Sequence, residues 1–218
     1  MANSVRLMHK EDISQVTEID REAFPAIWPP INYHDELKNP LAHYVVTVDD
    51  GKTMENSDEK IAPQKGIPWL TSRVRQLFNH EQTINSETPP SSKQYIIGFA
   101  GFWTMADEAH IISLAVRKAL YRCGRGELLL IATIDLATQL KTHIITLEVR
   151  ASNSAAISLY QKYGFTQVGL RRGYYIDNKE DAILMSTEDV TLASFQAHLQ
   201  QLKGSYSGKW KIPLYQVV

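Results

Sequence analysis

Two residues close together in the chain could carry proton transfers. Glu148 interrupts the otherwise apolar run of residues 144–149, and Tyr160 follows in the next predicted helix. A partly desolvated carboxylate can accept a proton, and a tyrosine, whose reference pKa is about 10, can donate one to a departing thiolate. This pairing suits acyl transfer. The structural alternative makes Glu148 a salt-bridge partner and Tyr160 a core aromatic residue with a satisfied hydroxyl.

A glycine-rich junction is a candidate anion site. Residues 121–126 read Tyr-Arg-Cys-Gly-Arg-Gly and lie between a predicted strand and a predicted helix. The first amides of a helix are unpaired and carry the positive end of its dipole, and glycine lets a pyrophosphate approach the backbone. Arg122 and Arg125 could add charge-assisted hydrogen bonds. The junction is neither a Walker loop nor a dinucleotide-binding loop, and an ordinary glycine turn with solvated arginines is the alternative.

Hydrophobic spacing, together with glycine and proline, predicts the elements that must position these residues. Helices are predicted at 11–24, 31–37, 126–140, 152–163 and 191–202. Ser152 is the predicted N-cap of the fourth helix, and Gly164 ends it. Strands are predicted at 44–48, 95–104, 110–116, 144–149, 165–170 and 181–185, the second and third forming a hairpin. This order predicts a strand-rich α/β chain.

Composition and charge narrow the class of protein. The 218 residues, 44% hydrophobic and 22% charged, can close the core of a single decorated domain. Twenty-three basic and 24 acidic residues give a net charge of -1, which predicts no nucleic-acid or membrane partner. The apolar windows are too short or too interrupted to span a bilayer. The single cysteine and the absence of a charged-then-apolar leader predict a cytoplasmic location, and seven scattered histidines predict no metal site.

The order of these motifs resembles that of the GNAT acyltransferases. The glycine loop is followed by a helix, then by residues 147–153, and then by residues 159–165. A narrower resemblance, to the RimI-type ribosomal-protein-alanine N-acetyltransferases, rests on Glu-Val-Arg-Ala-Ser-Asn at 148–153, Leu-Tyr at 159–160, Gly-Phe at 164–165, Arg-Arg-Gly-Tyr-Tyr at 171–175 and Glu-Asp-Ala at 180–182. It covers about residues 108 to 185 and reaches Ala-Phe-Pro at 23–25, followed by Trp28.

The resemblance implies an α/β (α+β) fold of the GNAT acyl-CoA N-acyltransferase type. Its mixed, twisted sheet is flanked by helices, and acetyl-CoA enters a cleft where the central strands splay apart. Glu148 matches the proton acceptor of the family and Tyr160 its proton donor. The implied coenzyme contacts are the strand residues Leu114, Ala115 and Val116, the pyrophosphate loop Arg122, Cys123, Gly124, Arg125, Gly126 and Glu127, and the more distant Asn153.

The resemblance also implies a peptide groove and a protein substrate. The matching groove residues are Phe24, Pro25, Trp28, Tyr174 and Tyr175. The implied reaction moves acetyl from acetyl-CoA directly to the N-terminal α-amine of a protein, with a small-subunit ribosomal protein as the family expectation. Two alternatives remain open: a GNAT enzyme acting on a lysine or a small-molecule amine, and a non-catalytic acyl-CoA sensor.

The chain departs from the family pattern in its loop and in its length. Tyr121 stands where the family usually has Gln or Arg, and Arg125 stands at an apolar position. Both changes keep the glycines, so coenzyme binding is expected to survive. Residues 1–218 are interpreted as one GNAT domain, with an inserted loop at 49–93 and a C-terminal extension at 189–218. These additions are either solvated decorations or covers for the groove or a partner site.

Overall fold

A single mixed sheet organises the chain in the computed structural model, which describes residues 3–25, 30–53 and 94–210. Within those ranges seven strands are hydrogen-bonded in the order β1-β2-β3-β4-β5-β7-β6. Every neighbouring pair is antiparallel except β4 and β5, which are parallel. The strands are β1 Asn3–Leu7, β2 Ala42–Thr53, β3 Gln94–Met105, β4 Glu108–Val116, β5 Ile144–Arg150, β6 Thr166–Tyr175 and β7 Glu180–Ser186.

Helices cover both faces of this sheet. They are α1 Ile13–Ala23, α2 Tyr33–Glu36, α3 Arg125–Gln139, α4 Ser154–Lys162 and α5 Ala193–Trp210. The apolar spacing of α1 buries Val16 and Ile19 against one face, in a cluster with Val46 and Phe99. The α3 helix is apolar on most sides and packs on the other face, in the larger core cluster. The expected architecture of a mixed sheet flanked by helices is therefore confirmed.

The parallel pair opens partway along its length. Within the described residues, β4 pairs with β5 from Glu108 to Ile111, and the last pair joins Ile111 to Leu147. Beyond that point β4 continues alongside β3, whereas β5 continues alongside β7 as far as Arg150. A register shift between Gly101 and Phe102 accompanies the separation. The two central strands thus splay, as the resemblance predicted.

Several predicted boundaries need correction. The strand β1 was not predicted, because its short and mixed sequence has no strong alternation and it is held by pairing with β2. Asn153, not Ser152, is the N-cap of α4, because its side-chain oxygen accepts the Ala156 N–H at 3.1 Å. The last helix extends to Trp210 instead of ending at residue 202.

The two predicted additions are described only in part. Residues 49–53 continue β2, while 54–93 lie outside the described residues. The extension contains α5, and residues 211–218 also lie outside the described part. In the described ranges, no helix has both the length and the apolar character needed to cross a membrane.

Candidate functional site

Glu148 occupies the point at which the central strands separate. It is the first residue of β5 after the last β4–β5 pair, and its side chain is 8% exposed. Its neighbours Leu147 and Val149 point into the core beneath α3, so strand alternation places Glu148 on the α1 side of the sheet. A buried carboxylate at an open strand junction needs partners, because desolvation of an unpaired charge is costly.

Two basic side chains supply those partners, His110 from the adjacent strand β4 and Arg171 from β6, which lies beyond β7. His110 Nε2 lies 2.9 Å from one Glu148 oxygen, and Arg171 Nη2 lies 3.0 Å from the other. On its far side, His110 Nδ1 lies 2.8 Å from the Thr146 hydroxyl, which in turn donates to Glu108. Each ring nitrogen therefore faces an oxygen, and the imidazole holds the Glu148 carboxylate in a fixed orientation.

Tyr160 lies in the core on α4, where its ring packs 5.6 Å from that of Phe165. Burial, reinforced by the nearby Tyr175 hydroxyl, raises the pKa of Tyr160 to about 12. Burial also raises the pKa of Tyr175 to about 12, with a smaller contribution from Glu148 in the same direction. Tyr175 is thus electrostatically coupled to both Glu148 and Tyr160, and the buried Tyr160 hydroxyl stays protonated at neutral pH.

An ion-pair network holds Tyr175 in this position. The Arg150 guanidinium lies 3.9 Å from the centre of the Tyr175 ring, a cation–π contact. Arg150 also donates to both carboxylate oxygens of Asp177 and, at 3.1 Å, to Glu180. Glu180 additionally accepts the Ser152 N–H at 2.7 Å, and these hydrogen bonds lower the pKa of Glu180 to about 2.

The predicted pantetheine contacts lie on the splayed part of β4. Leu114 and Ala115 pair with β3 on one side through Ala100 and Phe99. Val116 pairs with Gly98, and the other edge of all three residues faces the opening from which β5 has departed. A strand edge without a neighbouring strand offers backbone N–H and C=O groups to an extended amide-containing ligand. The geometry therefore fits the pantetheine arm of acetyl-CoA.

The predicted pyrophosphate loop leads into α3. Gly124 is the N-cap with a φ of 74°, and the first helical hydrogen bond runs from Leu128 N–H to the Gly124 oxygen. The amides of Gly126 and Glu127 precede that bond and have no partner within the helix. Arg122 is exposed and also has a positive φ, 61°. Consecutive turns of this kind form a concave set of N–H groups that fits a phosphate.

Three residues predicted at the coenzyme site have evident structural contacts. The Glu127 carboxylate accepts from the Tyr163 hydroxyl at 2.8 Å and from Lys162, so its side chain ties α3 to α4. The Asn153 side chain is used in capping α4. Cys123 is exposed, and its thiol donates to the Tyr121 carbonyl at 3.4 Å. Glu127 Oε1 and Asn153 Oδ1 are therefore engaged in holding α3 and α4.

The predicted groove residues are described with one exception. Phe24 follows α1 and packs against the cluster on that face of the sheet, and Pro25 beside it is exposed. Tyr174 is 43% exposed and meets Tyr175 edge to face at 5.2 Å. Trp28 lies outside the described residues.

His110 and Arg171 are the site residues whose contact with Glu148 sequence reasoning missed. His110 was considered only as one of the scattered histidines, and Arg171 only as part of a motif. The available signal was the alternation of β4, which puts His110 on the polar face of a strand next to the one that carries Glu148. The contact depends on the register of His110 with Thr146, which periodicity cannot supply.

Comparisons with known proteins agree with this fold. The model of the acetyltransferase (GNAT) family matches residues 59–165. An N-alpha-acetyltransferase of Sulfurisphaera tokodaii is 31% identical over 183 residues, which cover 84% of this chain and 90% of the relative. The ribosomal protein bS18-alanine N-acetyltransferase of Escherichia coli K12 is 38% identical over 122 residues, 55% of this chain and 80% of the relative. The crystal structure of the ribosomal-protein-S18-alanine N-acetyltransferase from Escherichia coli superposes with a TM-score of 0.58 at 24% identity, covering 86% of this chain and 94% of the other.

Proposed function

This chain belongs to the GNAT family of acetyltransferases, and on that premise we propose that it transfers an acetyl group from acetyl-CoA to the N-terminal α-amine of a protein. The observation that carries the proposal is the buried Glu148 carboxylate, held by His110 and Arg171 at the mouth of the splayed strands. Both relatives compared above are named for N-terminal substrates, and one name specifies ribosomal protein bS18. A ribosomal protein N-terminus is therefore the first substrate to test.

The acid–base groups of the site suit an α-amine. An α-amino group with a pKa near 8 costs about 1 to 1.5 kcal/mol to deprotonate at pH 7, whereas a lysine near 10.4 costs about 4.5 to 5 kcal/mol. One carboxylate can remove the proton from an α-amine, because this free-energy cost is small. The described site places a single buried carboxylate, Glu148, at the opening of the strands.

The proposed reaction is direct transfer. The amine nitrogen attacks the acetyl carbonyl carbon, the C–N bond forms, and the C–S bond of the thioester breaks. Glu148 takes the proton from the amine, and Tyr160 gives its proton to the sulfur. His110 and Arg171 keep the Glu148 carboxylate aimed at the opening, since each binds one of its oxygens. Burial keeps Tyr160 protonated until the leaving group forms.

The deciding experiment measures release of free coenzyme thiol from acetyl-CoA with short peptides that begin with alanine or serine. Each peptide is paired with an N-terminally blocked version that contains a lysine. We expect turnover with the free α-amines alone.

Two other outcomes would contradict the proposal. Turnover with the blocked lysine peptides would transfer the function to lysine acetylation. Acetyl-CoA binding without turnover of any peptide would favour a small-molecule amine or a non-catalytic acyl-CoA sensor.

A further inference from the structure

The C-terminal helix α5 lies along the helices that carry the candidate coenzyme loop and the candidate proton donor. Its buried stripe contains Phe195, Leu199 and Tyr206. Near its start, the Phe195 ring approaches Gly164, at the end of α4, and would lie 3.1 Å from a Cβ atom there. Midway, Lys203 pairs with Asp135 of α3. The helix therefore runs from the end of α4 to the start of α3.

Its last residue packs directly on the loop. A Cβ atom built on Gly124 would lie 2.5 Å from Cε2 of Trp210 and 2.7 Å from both Cδ2 and Nε1. No side chain could occupy that position without displacing the indole. Gly124 is thus required twice, once for its φ of 74° and once to accommodate Trp210.

The preceding turn of α5 is anchored in the core by Tyr206, four residues before Trp210. Burial raises the pKa of Tyr206 to about 12, and the charge of Arg125 opposes that effect. Tyr206 is almost fully buried, with 1% of its surface exposed. Tyr206 therefore fixes the turn of α5 that carries Trp210.

We infer that Trp210 and Tyr206 are positioning residues for the coenzyme loop, an inference that rests on the proposed function. They hold Gly124 so that the first amides of α3 stay aimed at a pyrophosphate. Two residues of the loop, Arg122 and Gly124, have a positive φ, a conformation that must be imposed on Arg122 by its surroundings. A loop held in its binding conformation avoids the ordering cost of association.

The test separates coenzyme binding from catalysis. Acetyl-CoA affinity is measured by calorimetry without an acceptor amine, and kcat and KM are measured with an N-terminal peptide, for Trp210→Ala, Trp210→Phe and Tyr206→Phe. The matched control is Gln200→Ala, an exposed position on the same helix. We expect Trp210→Ala to raise the Kd and KM for acetyl-CoA about tenfold, with kcat and peptide KM within about twofold of wild type. The Kd of Trp210→Phe for acetyl-CoA should lie between those of wild type and Trp210→Ala, and the Kd of the control should match that of wild type.

Unchanged acetyl-CoA affinity in folded Trp210→Ala would overturn the inference, even if the melting temperature falls, because α5 would then be structural only. If Trp210→Ala does not fold, unchanged affinity in both Trp210→Phe and Tyr206→Phe overturns it. The proposed function fails separately. Were wild type to bind acetyl-CoA but acetylate no peptide, the affinity series would still decide the role of α5.

Discussion

Glu148 and Tyr160 lie in environments that differ in the way an acid and a base require. Glu148 is held between two basic side chains, His110 and Arg171, each of which contacts one of its oxygens. Tyr160 lies among apolar groups, and its raised pKa favours the neutral form. Tyr175 lies close enough to both to affect the pKa of Tyr160 and to be affected by Glu148. The proposed proton acceptor and the proposed proton donor thus have different local environments.

Replacing either residue should slow the chemical step. We expect Glu148→Gln and Tyr160→Phe each to lower kcat by about a hundredfold or more, because each removes one proton transfer while keeping the shape of its side chain. Steady-state kinetics with an alanine-initiated peptide would measure this loss. Acetyl-CoA affinity serves as the control and should be unchanged. Near-normal kcat in both variants would refute these roles.

Because of Glu180, the free energy of unfolding should depend on pH in the acid range. Its folded pKa of about 2 is below the ordinary value of 4.5, so the stabilisation is complete above pH 4.5 and is lost as the pH falls toward 2. Glu180→Gln should therefore lower the melting temperature at pH 7 and have no effect near pH 2. Thermal melts across this range would test it, with Glu188→Gln, at an exposed site, as the matched control. An equal effect of Glu180→Gln at both pH values would count against the network.

Among the elements, β4 and α5 have the greatest influence on the site. The β4 strand pairs with β5 only over its first part and then leaves an edge free for a ligand. The α5 helix is anchored by its buried stripe, although its sequence contains Gly204 and Gly208 on the exposed side. Glycine inside a helix costs conformational entropy on folding. The helix that supports the loop is therefore held by packing more than by helix propensity.

Filling one of those glycine positions should stabilise the protein. A Cβ atom at Gly204 would meet nothing within 4 Å. We expect Gly204→Ala to raise the free energy of unfolding by about 0.5 to 1 kcal/mol. Urea denaturation would measure the change. In contrast, Gly164→Ala should lower the free energy of unfolding, because Gly164 has a φ of 86° and a Cβ atom there would lie 3.1 Å from Cε2 of Phe195. A destabilised Gly204→Ala would indicate that α5 is not a continuous helix.

At the scale of the whole molecule, the sheet separates the surroundings of Glu148 from the helices α3 and α5. Glu148 and His110 lie on the face covered by α1, whereas the start of α3 and the whole of α5 lie on the other face. The splay between β4 and β5 joins the two faces. We expect an acetyl group on a coenzyme bound at the α3 loop to reach Glu148 through that opening, because the remaining described strands are continuously paired.

Coenzyme binding should therefore stabilise the whole fold. Acetyl-CoA at about one hundred times its Kd should add about 2.7 kcal/mol to the free energy of unfolding. For a chain of about 200 residues this corresponds to a rise in melting temperature of roughly 5 to 10 °C. Thermal melts with and without acetyl-CoA would show it. Acetyl phosphate, which lacks the pantetheine arm, is the control. No shift at saturating acetyl-CoA would contradict the assigned coenzyme site.

Local patterns were sufficient to predict the family and most elements. The motif order from the glycine loop to Gly-Phe at 164–165 predicted a GNAT fold, which the comparisons confirm. The predicted hairpin at 95–104 and 110–116 corresponds to β3 and β4, and the helix at 126–140 corresponds to α3. These features depend on residues near one another in sequence: apolar periodicity, a glycine that allows a turn, and a run of β-branched residues.

Tertiary structure alone decided the contacts around those motifs. The pairing of His110 and Arg171 with Glu148 requires the register of four strands, β4, β5, β7 and β6, and the docking of Trp210 on Gly124 joins residues far apart in the chain. The strand β1 likewise exists through its pairing with β2. Register and docking are set by the simultaneous packing of distant segments, whose energies no local window contains. The chain itself therefore specified the family and most elements, and the fold specified how the proposed catalytic carboxylate and the proposed coenzyme loop are held.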